Sequence, residues 1–501
     1  MIDTSISTLG ALKASGYRTL SIKDELRKNL ILKLKNRENI FKEVLGFEDT
    51  VIPDIQRAIL SRHNILLLGL RGQAKTRLAR SMVHLLDEYI PIIAGTELND
   101  NPFSAVSHQA RNMIAQHGDE TPIDWLHRNQ RYVEKLATPD VSVADLIGDI
   151  DPIKAATLKL AYSDERVIHF GLIPHAHRSI FVLNELPDLQ ARIQVALFNI
   201  LQEGDIQIRG FKLRLPLDIQ FVFTANPEDY TNRGSIITPL KDRIESQILT
   251  HYPKTIEVGR AITQQEADLT MEQREVIEVQ EFAKDLLEEV AFEARKSDFV
   301  DEKSGVSARL TIAGYENLVS TAERRMLVNG EDSTKVRLMD FWGIIPAITG
   351  KVELVYEGEQ EGIASVAIKL INKAIQTQFL SSFPNPNTLK KGQDSDVYQT
   401  ITNWFAKGNT LDLFLDESNK EYEETLDSVE GLSSFVYDYW LDEDDKYFFM
   451  ELVLHALAGF EMINKEQIEG VIRFFDPLAD SLENIDLGDF DLDDTDDWDD
   501  I

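Results

Sequence analysis

The stretch Gly69-Leu70-Arg71-Gly72-Gln73-Ala74-Lys75-Thr76 limits what this chain can fold into more than any other part of it. It follows Asn64-Ile65-Leu66-Leu67-Leu68, a short apolar run ended by glycine, as in a strand buried on both faces of a parallel sheet. A helical pattern, Ala74 to Leu86, begins directly after it. A glycine-rich strand-to-helix turn that closes on lysine and threonine has the chemistry of a phosphate-binding loop. The glycines let backbone N–H groups turn inward, and the helix start adds partial positive charge. The lysine spans the phosphates, and the threonine hydroxyl can bind Mg2+. ATP with Mg2+ is therefore the expected ligand, held by Gly69, Gly72, Gln73, Ala74, Lys75, Thr76 and Arg77. Ala74 stands where glycine is usual before the lysine, and its methyl is tolerable if φ stays below zero.

Two more apolar runs end in polar residues. Ile180-Phe181-Val182-Leu183 leads into Asn184-Glu185, and Ile219-Gln220-Phe221-Val222-Phe223-Thr224 leads through Ala225 into Asn226-Pro227. Phosphoryl transfer depends mostly on positioning and charge neutralisation. Glu185 is placed to polarise an attacking water, and Asn226 to hydrogen-bond the γ-phosphate and that water. Asn184 is assigned to the metal shell with Thr76. It occupies a position where an aspartate usually stands, so the shell loses one negative charge, and slow hydrolysis is one expected consequence. The runs alternate with helical patterns such as Leu189 to Gln202, which predicts an α/β fold with a doubly wound parallel sheet.

Upstream, Asp24 to Leu45 reads as an amphipathic helix and Thr50 to Arg62 as a second. Beyond Tyr252 the character turns helical and charged, in Ile262 to Lys296 and Arg309 to Val328. Gly358 to Leu389 and Asp396 to Phe475 are again mainly helical, with a break at Phe383-Pro384-Asn385-Pro386. The expected organisation is an N-terminal helical extension (1–44), an α/β core (45–255), a helical lid (256–357), a further helical region (358–479) and an acidic tail (480–501). Half of the tail residues are acidic and none is basic, so the tail is expected to stay disordered.

The absence of cysteine removes disulfides, thiol catalysis and cysteine-based zinc sites together. A net charge of −33 opposes a phosphate backbone, so nucleic acid is disfavoured as the main partner. No run of 18 apolar residues and no secretory leader is present, so no membrane span is expected and the cytoplasm is the expected location. His169, His175 and His177 lie close together but lack a partnering carboxylate motif, and a structural role outweighs a metal site. In the tail, Asp489 to Asp494 lacks the central glycine and closing glutamate of a calcium loop.

With three strand-end motifs in order, the chain resembles the AAA+ ATPases of the MoxR and magnesium chelatase subunit I clade. The loop form glycine, two residues, glycine, one residue, alanine, lysine, threonine is similar to that of MoxR proteins. Phe170 to Arg178 resembles the run that precedes the Walker B strand in magnesium chelatase. Asp145 to Asp151 resembles the start of that clade's helix-2 insert hairpin. The resemblance covers about Gly46 to Gly330. It implies that Asn226 is sensor 1 and that Arg243, in Leu240-Lys241-Asp242-Arg243, is an arginine finger for a neighbouring subunit. It also implies that Arg309, in Ser307-Ala308-Arg309, is sensor 2 on the lid. A homo-oligomer, most simply a hexameric ring, follows from a finger supplied in trans. A protein client and a partner bearing a von Willebrand factor A domain are implied by the resemblance alone.

Three function classes follow. The first is a ring motor or chaperone that remodels a client or supports metal-centre or complex assembly, with magnesium chelatase-type metal insertion as a specialised case. The second is a nucleotide-sensing scaffold that binds ATP and hardly turns it over. The third, a transcription activator or helicase, is disfavoured by charge and by the lack of a Gly-Ala-Phe-Thr-Gly-Ala sequence.

Overall fold

The computed structural model describes residues 3–161, 164–208, 214–227, 235–388, 397–440, 443–468 and 470–476, so the acidic tail expected at 480–501 lies outside the described residues. The chain divides into two compact units, 1–254 and 255–501.

In the first unit the apolar runs become a five-stranded sheet of β1 (Ile65–Leu68), β2 (Tyr132–Leu136), β3 (Ser179–Asn184), β4 (Ile219–Ala225) and β5 (Ser246–Leu249). Every pairing is parallel, and the order is β5-β1-β4-β3-β2. All positions of β3 and β4 are buried, because alternate residues feed opposite faces and both faces are covered. Phe181, Leu183, Phe221 and Phe223 pack into one core with α4 (Ala191–Glu203). Ile65, Leu67, Ile180, Val182 and Val222 face the other core, with α1 (Ile22–Lys35), α2 (Val51–Leu60) and α3 (Lys75–Ser81).

The parallel arrangement sends the C-terminal ends of β1, β4 and β3 to one edge. Leu68 pairs with Ala225 and Phe223 with Leu183, so Gly69, Asn226 and Asn184 emerge side by side. In open α/β sheets that edge is where ligands bind.

Among the described residues three antiparallel strand pairs interrupt the α/β order, one of them Asp205–Gln207 with Arg214–Pro216 between α4 and β4. Tyr89–Ile93 pairs with Ile123–His127 between α3 and β2, and Gly148–Ile150 pairs with Ile168–Phe170 between β2 and β3, around a helix at Pro152–Leu158. The pair at Gly148–Ile150 grows out of the Asp145–Asp151 stretch. At Gly148, φ is +118° and the His169 carbonyl lies where a Cβ would stand, so only glycine fits.

The N-terminal helix is shorter than the pattern from Asp24 to Leu45 predicts. It begins at Ile22, where the Ser21 hydroxyl accepts from the Asp24 N–H, and ends at Lys35. Arg37 then takes a left-handed φ of +58°, which no α-helix continues through. Ile40, Phe41 and Val44 remain buried from irregular backbone, and their spacing imitated helical period.

The second unit is built on α5 (Ile256–Glu266), α6 (Glu281–Lys296), α7 (Arg309–Asn329), α8 (Ile363–Ser382) and α9 (Lys446–Gly459). The helical pattern from Ile262 to Lys296 divides into α5, a short helix at Met271–Val276 capped by Thr270, and α6. A single apolar core runs from Ala267 to Phe474. It includes an antiparallel sheet that the helical reading missed: β6 (Leu411–Phe414), β7 (Asn464–Ile468) and β8 (Val471–Phe475), in the order β6-β8-β7. β7 is mostly exposed and polar, so it shows no apolar alternation to read.

Candidate nucleotide site

The loop after β1 is fastened at both ends. The Gly69 N–H donates to the Ala225 carbonyl at 3.1 Å, and the Thr250 N–H to the Leu68 carbonyl at 2.9 Å. A Cβ at Gly69 would collide with the Thr250 hydroxyl and the Gln73 amide oxygen, so this glycine is required by close approach. The Gln73 side-chain oxygen accepts from Thr250 Oγ1 at 2.7 Å, which ties the loop to the residue after β5. Tyr252 Oη donates to the Arg71 carbonyl at 2.9 Å and holds the tip.

Gly72 has φ +72°, and Ala74 sits at φ +52°, ψ +19°. Contrary to the negative φ expected at Ala74, this residue is left-handed. The chain needs a left-handed residue before the lysine, which is why glycine is usual there, and alanine holds the conformation at a cost of about 1–2 kcal/mol. Ala74 offers no side-chain cap to α3, so the first-turn N–H groups have none.

Lys75 opens α3 and is buried. Its ammonium donates to the Gly69 carbonyl, to the Leu70 carbonyl at 3.0 Å and to Asn226 Oδ1 at 2.7 Å. Thr76 is the next residue of the helix. The Arg77 guanidinium donates to the Glu43 carbonyl at 3.4 Å, so its side chain points to the α1–α2 connection.

Asn184, at the end of β3, is buried and fixed by two bonds. Its Nδ2 donates to Glu134 Oε1 at 2.6 Å, and its Oδ1 accepts from Thr224 Oγ1 at 3.1 Å. The same Thr224 hydroxyl accepts from the Glu185 N–H at 3.1 Å. Glu185 stands at φ +55°, ψ +52°, a second non-glycine residue in the left-handed region at this edge. Such conformations persist only where the surroundings over-determine them, and they cluster at functional sites.

Lys75, Asn226, Asn184 and Glu185 are thus brought to one edge, and Asn184 and Glu185 are joined through Thr224. Arg243 lies elsewhere in the unit, over the Phe198 ring of α4 at 4.1 Å, with Nε donating to Gln202 Oε1 at 3.2 Å and Nη1 to the Pro239 carbonyl at 3.1 Å. Arg309 belongs to the second unit, where it is exposed at the start of α7.

Sequence reasoning missed Glu134, Arg80, Thr224 and Thr250. Glu134 on β2 takes Arg80 Nη2 at 2.9 Å and Tyr132 Oη at 3.1 Å on its other carboxylate oxygen. Its one available signal was an acid within the alternating Tyr132-Val133-Glu134-Lys135-Leu136. Among the described residues there is no group of three or more His, Cys, Asp or Glu that could hold a metal ion. The buried His177 accepts from the Asp218 N–H on Nδ1 at 3.1 Å, and His175 Nδ1 lies 3.0 Å from the Glu97 carbonyl, so both rings are engaged locally.

Residues 157–248 match the family model described as the Sigma-54 interaction domain. The match takes in β3, β4, Arg243 and part of β5. Among solved structures the chain is similar to NtrX from Brucella abortus at 16% identity, with 61% of this chain and 57% of that chain covered and a TM-score of 0.35. The chain thus spans just over half the length of that NtrX structure. It is similar to the RuvB P216G mutant of Thermotoga maritima at 12% identity, covering 77% and 96% with a TM-score of 0.36. A BchI–BchD complex of magnesium chelatase is similar at 20% identity, covering 64% and 98% with a TM-score of 0.32. The strand order, with a glycine-rich loop after β1 and polar ends on β3 and β4, is that of the AAA+ P-loop NTPase fold.

Proposed function

We propose that this chain binds ATP with Mg2+ at the β1–α3 loop, hydrolyses it, and uses the turnover as a ring-forming motor or chaperone. The observation that supports this best is the meeting of Lys75 Nζ and Asn226 Oδ1 at 2.7 Å, one strand away from the Asn184–Thr224–Glu185 group. In this reading the loop N–H groups and Lys75 bind the phosphates, and Asn226 orients the terminal one. Thr76 and Asn184 would hold Mg2+, which would supply charge neutralisation at the phosphates. Glu185 orients the attacking water. The donor set fits the ion: a threonine hydroxyl on the first helical turn and an amide oxygen whose orientation is fixed by Thr224 and Glu134.

Arg243 acts in this reading on the ATP of a neighbouring subunit, and Arg309 on the γ-phosphate from the lid. A hexamer, a protein client, and a partner with a von Willebrand factor A domain belong to the same proposal. Metal-centre or complex assembly ranks above magnesium insertion because of the amide at 184. A transcription activator ranks below both, since the net charge is −33 and no Gly-Ala-Phe-Thr-Gly-Ala sequence occurs. The scaffold reading draws support from one observation: Asn184 brings no charge of its own to the site.

ATP turnover by the pure protein and by Glu185→Gln separates the two. A motor loses on the order of a hundredfold or more in turnover while ATP binding stays, because the water-positioning group is gone. Equal turnover in the two proteins would rule the motor out.

A further inference from the structure

Asn184 and Glu134 form a pair that the ATP reading does not by itself require. The two residues sit on adjacent strands, Glu134 opposite Val182 and Leu136 opposite Asn184, so their side chains share the sheet face that α3 covers. The 2.6 Å separation between Asn184 Nδ2 and Glu134 Oε1 is that of a strong charge-assisted bond. The second carboxylate oxygen takes Arg80, which stands one helical turn beyond Thr76 on α3, and Tyr132. Burial first, and the Glu134 charge next, hold the Tyr132 phenol well above its usual pKa, so it stays a proton donor to that oxygen.

An aspartate at 184 would put a second carboxylate against that of Glu134 at this distance, with like charges opposed and no N–H between them. The amide at 184 and the acid at 134 therefore make sense as one unit carrying one negative charge. We propose that Glu134 and Asn184 together replace the single acid usual at the end of this strand. Glu134 supplies the charge, and by accepting from Nδ2 it keeps the amide oxygen as the group offered to a Mg2+-bound water. Glu134 is a positioning residue here, and the inference rests on the reading of the loop as an ATP–Mg2+ site.

The test is equilibrium binding of a fluorescent ATP analogue to the full chain, in chelator and in Mg2+, for the wild type, Glu134→Gln, Asn184→Asp, the exchanged double variant and Arg80→Ala. The wild type should bind more tightly with Mg2+. Glu134→Gln, which keeps the side chain's shape and can still accept from Asn184 Nδ2 while giving up the bond from Arg80, should lose on the order of tenfold of that Mg2+ gain, with binding in chelator unchanged. Asn184→Asp alone should gain nothing over wild type. The exchange, with aspartate at 184 and glutamine at 134, should restore the Mg2+ gain, an outcome that misfolding cannot imitate. A full Mg2+ gain in Glu134→Gln would overturn the inference while leaving ATP binding intact. So would an improved Asn184→Asp, or a loss in Arg80→Ala equal to that in Glu134→Gln. Absence of any binding by the wild type would overturn both this inference and the ATP reading.

Discussion

Ala74 carries a conformation its side chain disfavours, and the loop geometry depends on it. Ala74→Gly removes the penalty of a Cβ at φ +52° and should stabilise the first unit by about 1 kcal/mol. Ala74→Val, with a β-branched chain in the left-handed region, should destabilise by about 1–3 kcal/mol and weaken nucleotide binding with it. Urea unfolding midpoints of the three proteins check the order. The sequence revealed that a residue in this place matters but not its φ, since one chain carries no signal that distinguishes a tolerated alanine from a strained one. The position of Lys75, at the start of a helix directly after a buried strand, was legible because the apolar run and the glycine-rich turn before it are plain in the sequence. Glu134 was not, because a lone acid in a strand is commonplace until a partner 50 residues away is known.

A second residue-scale expectation concerns acid. Burial first, and the neighbouring Arg178 charge next, hold His177 down to about 4. The unfolded chain protonates this ring below about pH 6.5, so between those values the unfolded state binds more protons and stability falls as pH drops. The loss from this one group should reach about 2 kcal/mol near pH 5. Unfolding of wild type and His177→Gln at neutral and mildly acid pH tests it, since the variant should lose less on acidification. Equal losses would refute the assignment.

At the scale of elements, the sheet was readable and its joints were not. β3 and β4 show unbroken apolar runs because both faces are buried, whereas β2 offers Tyr132, Glu134 and Lys135 to partly exposed surroundings and so lacks that signature. The attachment of α1 to the sheet was also hidden. Arg131, just before β2, makes a bidentate pair with Glu25 of α1 at 2.7 Å on both oxygens, and its Nε donates to the Arg178 carbonyl at 2.9 Å. Both charged residues are buried. Breaking such a pair strands an uncompensated charge, so Glu25→Ala should cost about 3–5 kcal/mol. Removal of both partners in the double variant should cost less than the sum of the two single changes. Additive losses in that thermodynamic cycle would mean the pair is not coupled.

At the scale of the whole molecule, the proposal is that turnover depends on assembly. Arg243 is half-exposed and already stacked on Phe198, a contact worth about 0.5–1 kcal/mol at such a site. Arg243→Ala should therefore leave the chain folded, with wild-type ATP affinity, while lowering turnover by roughly 10³-fold or more if the guanidinium serves a neighbouring subunit. Size measured by sedimentation with and without ATP accompanies that assay. An unchanged size together with unchanged turnover would remove the ring from the account. No helix among the described residues is long and apolar enough to cross a membrane. The antiparallel sheet of the second unit escaped a sequence reading because β6, β7 and β8 are four or five residues long and largely solvent-facing on one side.

Everything proposed for this chain begins with ATP at Lys75, and the most direct measurement is titration of a fluorescent ATP analogue into wild type and Lys75→Ala in Mg2+. Saturable binding by the wild type, weakened at least about a hundredfold in Lys75→Ala with its fold intact, is the predicted result. Equal affinity in the two proteins, or no binding by the wild type, would contradict it.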